Sequence, residues 1–318
     1  MNKYSFHLYR YQMLMSDGKM REGSLLEINN PNGSIGVGEV SPLPGWSKET
    51  LDQAINQLVW LKTHVKNLDS LEDFEKIDLL PSVLFGINSA YSQCESSSPI
   101  SIDVCSFLRG TPLEILEQAL QSEESGFSFA KLKVGSLSLH KAYDLIIKLK
   151  DRFRLRIDVN KSWNTEDSLS FFSEFPKDAF DYVEEPLQNL ERLEQFPIPF
   201  TIDESFSEHL PYPLPNLKGV IFKPTIRGWL SNFSLIKKWV KEKNIDLVLG
   251  STFESDVGLA GIVHLANQLG VKSPLGIGTY RNMTTQFLDN PMIFSKGKVS
   301  FSGSSRIDKS KKKLVQIF

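Results

Sequence analysis

Hydrophobic and polar positions alternate at the start of the chain and change rhythm about a third of the way along. Tyr4, Phe6 and Leu8 are separated by polar residues, the period of a half-buried strand. Gly23 to Ile28 and Ile35 to Val40 read as two more strands, with Asn29 to Ser34 as their turn. A stiff loop follows, Ser41-Pro42-Leu43-Pro44-Gly45-Trp46. Ser47 reads as the N-cap of a helix that carries Leu51, Ala54, Ile55, Leu58 and Leu61 on one face. A second helix is expected over Ser82 to Cys94. This is an α+β region.

From about Pro99 the pattern becomes strand, helix, strand. Candidate strands are Ile100–Phe107, Phe129–Val134, Leu155–Val159, Tyr182–Glu184, Phe200–Asp203, Val220–Lys223, Leu247–Ser251 and Leu275–Gly278. Helical segments such as Ser138–Lys150, Thr165–Phe175 and Asn232–Lys243 fall between them. The expected class is α/β: a (β/α)8-type, TIM-like barrel of (β/α)7β form, with an α+β N-terminal capping domain. The division places the cap at 1–97, completed by 280–318, and the barrel at 98–279. A doubly wound open sheet would carry a Gly-rich phosphate turn after its first strand. Gly36-Val37-Gly38 and Gly276-Ile277-Gly278 lie in the wrong contexts and read as tight-turn or close-packing glycines.

Composition narrows the classes. Lys plus Arg is 36 and Asp plus Glu is 38, so the formal charge of −2 gives no basic footprint for nucleic acid. The run Lys311-Lys312-Lys313 reads as a solvated flank. No apolar stretch approaches the roughly 18 residues of a membrane helix, and no signal peptide is recognisable. Cys94 and Cys105 make neither a disulfide framework nor a zinc site, which suits a reducing, cytoplasmic setting. Oligomeric state is left open.

Charge then gathers at the predicted strand ends. Lys131-Leu132-Lys133, Asp158-Val159-Asn160, Glu184-Glu185-Pro186, Asp203-Glu204-Ser205 and Lys223-Pro224 follow one another at steps that each suit one strand and one helix. Side chains alternate across a strand, and outward positions of a barrel pack on helices. Ala130, Leu132 and Val134 therefore face out and both lysines face in. The same parity puts Arg156, Asp158, Asn160, Glu184, Asp203 and Lys223 inside, with Glu185 toward the rim or the helix layer. Any one of these alone reads better as a helix cap, an edge lysine or a turn. Agreement of five segments in phase and order outweighs that reading, because like charges are not buried unpaired without several kcal/mol of cost, roughly.

Asp158, Glu184 and Asp203 offer three hard oxygen ligands without a convergent cysteine or histidine. That set suits Mg²⁺, with Mn²⁺ as the alternative. Lys131 and Lys133 stand about 7 Å apart by strand rise, and their mutual repulsion is expected to lower lysine pKa toward neutrality. Lys223 arrives from the opposite side. A small-molecule carboxylate held between amines and metal would lose its α-proton, with the developing enediolate stabilised by the ion. No Gly-x-Ser-x-Gly turn is present, and a Glu184/Glu204 glycosidase pair leaves three inward lysines unexplained.

These residues resemble the enolase superfamily, and the Lys-x-Lys with a later single Lys resembles its muconate-lactonizing subgroup. The mandelate racemase subgroup's strand-seven histidine is missing from Leu247–Thr252. Flanking runs, Gly38-Glu39-Val40-Ser41-Pro42-Leu43-Pro44-Gly45, Pro81 to Gly86, Phe222-Lys223-Pro224-Thr225 and Ser251-Thr252-Phe253-Glu254-Ser255, resemble the o-succinylbenzoate synthase family. The resemblance implies a lyase: dehydration of 2-succinyl-6-hydroxy-2,4-cyclohexadiene-1-carboxylate to 2-succinylbenzoate, a step toward menaquinone. It implies Lys133 as base and then acid on one face, Lys223 as the opposing charge, and Lys131 as the group that tunes Lys133. It further implies Asn160 and Glu204 as supports of the metal ligands, and Arg156, Ser251, Thr252 and Arg21 as substrate contacts. Rivals are an N-succinylamino-acid racemase, a dipeptide epimerase, and a barrel that binds without turnover. Dipeptide epimerases commonly carry Asp-x-Asp on the last strand, where Leu275-Gly276-Ile277-Gly278-Thr279 has no carboxylate.

Overall fold

The computed structural model describes residues 5–30, 32–64, 77–95, 98–206, 214–229, 234–311 and 314–317. Tyr4, Asn232 and Lys312-Lys313 lie outside the described residues. Strands β1 (Ser5–Leu14), β2 (Met20–Asn29) and β3 (Ile35–Val40) form an antiparallel sheet, β1 pairing with β2 from Ser5↔Asn29 to Leu14↔Met20. The buried set changes face along β1. Leu8 joins Leu26, Ile28 and Val40, whereas Tyr9, Tyr11 and Met13 join the larger, barrel-side core.

Helix α1 (Leu51–His64) and helix α2 (Pro81–Glu95) cover the first of those faces. The cap of α1 is Thr50 rather than the expected Ser47. Thr50 and Gln53 exchange hydrogen bonds, while the Ser47 hydroxyl accepts from Leu43 N–H and steadies the preceding loop. The glycines of β3 are close-packing residues. A Cβ on Gly36 would lie 1.8 Å from the Ala90 carbonyl oxygen, and one on Gly38 1.9 Å from that of Gly86, both on α2.

Seven parallel strands follow in sequential order: β5 (Ser106–Leu108), β6 (Phe129–Lys133), β7 (Arg154–Asp158), β8 (Tyr182–Glu184), β9 (Phe200–Ile202), β10 (Leu217–Phe222) and β11 (Asp246–Leu249). Helices α3 (Pro112–Glu124), α4 (Leu139–Leu149) and α5 (Thr165–Ser173) start on Thr111, Ser138 and Asn164, each of which accepts a backbone N–H in the first turn. A short α6 (Pro224–Arg227) and α7 (Ser234–Lys243) separate β10 from β11, and α8 (Asp256–Leu269) follows β11.

Two strand expectations change at the closure. Ile100–Phe107 divides into β4 (Ile100–Asp103) and β5, because Val104 N–H bonds Gly297 O and Cys105 N–H bonds Leu275 O. β4 leaves the barrel and pairs with β13 (Lys298–Phe301), itself paired with β12 (Ile293–Ser295). The expected last strand, Leu275–Gly278, reduces to single bridges, Leu275 to Val104 and Gly276 to Gly250, before a 3-10 turn at Gly278–Asn282. These bridges join the two ends of the sheet. The chain's return to the first sheet is made by β14 (Leu314–Gln316) along β1. Among the described residues, no helix is long and apolar enough to cross a membrane.

Candidate active site

Register brings the strand-end charges into two rows. Lys133 lies opposite Asp158, Asp158 opposite Glu184, and Glu184 opposite Thr201. One step below, Phe107, Lys131, Arg156 and Tyr182 stand in the same relation. Outward neighbours Ala130, Leu132, Leu155, Ile157, Val183 and Ile202 are fully buried, as parity requires. Apart from Thr201, the two rows and Lys223 line a cavity of about 250 Å³, which Leu43, Trp46, Arg109, Ser251, Thr252 and Phe253 also line.

Ion pairs tie this cluster together. The Lys131 ammonium donates to both Glu184 oxygens at 2.7 Å and lies 2.9 Å from Asp158 Oδ2. Lys133 lies 3.2 Å from the same oxygen and donates to Asn160 Oδ1. Lys223 donates to Asp203 and stands 5.7 Å from the centre of the Trp46 ring. Burial alone would pull the Lys131 pKa down, but Asp158 and Glu184 outweigh it and hold the ammonium well above the lysine range. Lys223 is raised in the same way by Asp203 and Glu184 against its burial. The expected lowering of lysine pKa by mutual repulsion is therefore reversed at Lys131, because the carboxylates of Asp158 and Glu184 crowd its ammonium.

The carboxylates respond unequally. Burial pushes Glu184 up to about 7, more than Lys131 pulls it back. Burial likewise raises Asp203 against Lys223. For Asp158, Lys131 and Lys133 outweigh burial and the carboxyl is held down. Glu204 Oε2 is buried and finds no hydrogen-bond partner among the described residues. As they stand, no three His, Cys, Asp or Glu side chains among the described residues converge to share an ion. The Lys131 ammonium lies between Asp158 and Glu184, and the Lys223 ammonium is paired with Asp203. Three buried hard-oxygen groups on adjacent strands, two of them raised in pKa, and an orphaned carboxylate oxygen beside Asp203 are a donor set that fits a divalent cation.

The expected substrate contacts are placed less uniformly. Ser251 lines the cavity and shares a 2.5 Å hydrogen bond with the Thr279 hydroxyl. Thr252 also lines it, but its hydroxyl donates to Glu254, which accepts its N–H as well. Arg156 does not present its guanidinium to a ligand. It bonds Asp181 at 2.8 Å, the Pro274 carbonyl at 2.7 Å and Ser273 at 2.8 Å, all preceding strands or bridges at the floor of the barrel. Arg21 is buried too, and it spends its donors on the carbonyls of Phe253, Glu22, Pro42 and Ser41. It fastens the 41–42 loop to Phe253 instead of reaching into the cavity.

Three further groups escaped the reading of the residues. Glu185, expected toward the rim or the helix layer, is buried and accepts from Asp203 N–H, Ser205 N–H and the Ser205 hydroxyl, which orients the segment that carries Asp203. Its φ of 45° is unusual for a non-glycine residue, and Asn160, Lys161 and Phe253 share that left-handed region around the same mouth. Glu39, at the end of β3, accepts from Tyr11, Ser41, the N–H and hydroxyl of Ser255, and Gly258 N–H, which sews the cap to the start of α8. Trp46 sits in the stiff loop that parity arguments cannot orient. A buried acid next to a glycine-rich strand end was the available signal for Glu39.

A capped (β/α) barrel with lysines and carboxylates converging at its strand ends defines a class of barrel enzyme. The chain belongs to the enolase C-terminal domain-like family, whose model matches residues 114–303. The model described as MenC, N-terminal domain, matches residues 3–94. An o-succinylbenzoate synthase of Haemophilus influenzae is 27% identical over 307 residues, covering 89% of this chain and 92% of that protein. One of Vibrio cholerae is 29% identical, covering 86% and 88%. The fold is shared with the L-Ala-D/L-Glu epimerase from Bacillus subtilis, with a TM-score of 0.79, 15% identity and coverage of 96% and 98%. It is also shared with o-succinylbenzoate synthase from Thermosynechococcus elongatus complexed with Mg, with a TM-score of 0.72, 22% identity and coverage of 92% and 97%.

Proposed function

We propose that this chain is an o-succinylbenzoate synthase. It would dehydrate 2-succinyl-6-hydroxy-2,4-cyclohexadiene-1-carboxylate to 2-succinylbenzoate, on the route to menaquinone, in the cytoplasm. The observation that carries the reading is the meeting of Lys131, Lys133, Asp158, Glu184 and Lys223 around one cavity, with Asp203 paired to Lys223 behind its lining, in a chain matched along its length by such synthases.

Asp158, Glu184 and Asp203 would hold a divalent cation, Mg²⁺ by their donor chemistry, with Mn²⁺ the substitute. A bound ion would supply positive charge that stabilises negative charge developing on the substrate carboxylate. Lys133 is the more exposed of the paired lysines, 35% against 18% for Lys131. As a free amine it takes the α-proton; as the resulting ammonium it returns a proton to the departing hydroxide, which leaves as water from the same face. Asn160 Oδ1 holds the Lys133 amine in place. Lys223, from across the barrel, sets a positive charge against the other face of the forming ring. Glu185 steadies Asp203, and Glu204 has an oxygen free to support the ion.

The test is conversion of the cyclohexadiene acid followed by absorbance in the presence of Mg²⁺. Turnover is expected, and Lys133→Ala should lose about 10³-fold or more in kcat. A variant with near-native kcat would remove Lys133 as the base.

A further inference from the structure

Beside the lysines and Arg156, one more cation lines the cavity, and its charge is not committed to a strand-end carboxylate. Arg109 directly follows β5. The Gln118 side chain fixes its backbone on both sides, accepting its N–H and donating to its carbonyl, each at 2.9 Å. The guanidinium lies 5.6 Å from the centre of the Phe107 ring and 5.4 Å from that of Phe253. Among the described residues it makes one hydrogen bond, 3.0 Å from Nη2 to Asp17 in the turn between β1 and β2. Both partners are 30% exposed, so this pair is exchangeable.

We propose that Arg109 is the specificity-determining anchor for a second carboxylate on the substrate, with Asp17 as its counter-ion in the empty site. The inference rests on the proposed function, whose substrate carries one carboxylate at the reacting ring and another at the end of a succinyl arm. The first is taken up by the ion and lysine cluster. The second would be desolvated in the same cavity and requires a cation there. A planar guanidinium held near two rings, with most of its five donors uncommitted, suits bidentate capture of a carboxylate. Arg21 and Arg156, the other arginines expected at the substrate, are saturated by protein acceptors.

The experiment compares binding of the product diacid with its succinyl-side primary amide, by calorimetry with Mg²⁺ present, alongside steady-state kinetics. The intact protein should prefer the diacid by roughly 10- to 100-fold. Arg109→Gln should bind both alike and raise KM more than it lowers kcat, and Arg109→Lys should restore part of the preference. Asp17→Asn should bind the diacid at least as tightly as the native protein, because a competitor for the guanidinium is gone. If Arg109 serves only to hold the turn, Asp17→Asn and Arg109→Gln will weaken diacid and amide equally, and the inference fails while turnover stands. A preference for the diacid that survives in Arg109→Gln overturns it as well. A native protein that does not dehydrate the cyclohexadiene acid defeats the functional reading itself.

Discussion

At the scale of single residues, the identity of a group says less than its nearest partner. Lys131 and Lys133 are two residues apart on one strand, yet Lys131 chelates Glu184 while Lys133 shares its proton with an asparagine. That difference supports the proposed division of roles, with Lys131 as charge holder and Lys133, also 3.2 Å from Asp158, as base. Parity along β6 and β7 made the inward direction of both readable from sequence, because Ala130, Leu132, Leu155 and Ile157 are apolar without exception. The ends of the long arginines were not readable. A guanidinium spans several ångströms, and Arg156 turned to Asp181 at the barrel floor, not toward the mouth. His264 provides a residue-level prediction outside the site. It is buried on α8, edge-on to Phe301, and burial pulls it down to about 4 from 6.5. Below pH 6.5 the unfolded chain takes up a proton that the folded chain refuses, so stability falls as pH drops from 6.5 toward 4. This imidazole should contribute about 3 kcal/mol of that fall. Urea titrations across the window should show a shallower slope for His264→Asn; an unchanged slope would reject the assignment.

At the scale of elements, backbone contact decides what side-chain patterns leave open. The alternation at the N-terminus marked β1 correctly as a strand but not its length or its change of face. Tyr9, Tyr11 and Met13 are buried by a second layer that a single strand's pattern does not reveal. Ile100–Phe107 reads as one strand because its apolar residues are continuous, and it breaks only because Val104 and Cys105 donate to different neighbours. The β3–α2 contact is the sharpest case. Gly36 and Gly38 let the strand lie directly on the helix backbone, at distances no side chain tolerates. Gly38→Ala must push β3 off α2, and β3 carries Glu39, the seam between cap and barrel. The expected cost is about 3 kcal/mol, seen as a lowered denaturation midpoint with a matching loss of activity. A midpoint within experimental error of the native value would show that the sheet and helix can separate freely.

At the scale of the whole molecule, the cap supplies the roof and the barrel supplies the chemistry. Arg21 and Glu39 reach from the first sheet to the Phe253–Gly258 stretch, so the loop bearing Trp46 is positioned by the barrel as much as by the cap. Sequence order alone revealed the barrel and its strand-end charges, because each repeat brings one charge to the same end. It could not reveal the fasteners, which pair residues more than two hundred positions apart. In the proposed enzyme Asp158, Glu184 and Asp203 jointly hold one ion, although here Lys131 bridges the first two and Lys223 is paired with the third. Mn²⁺ binding, counted by electron paramagnetic resonance on the full chain without substrate, tests this most directly. One site per chain is expected, weakened about 100-fold or more by each of Asp158→Asn, Glu184→Gln and Asp203→Asn in folded protein. Native-strength binding in any of the three would contradict a shared site.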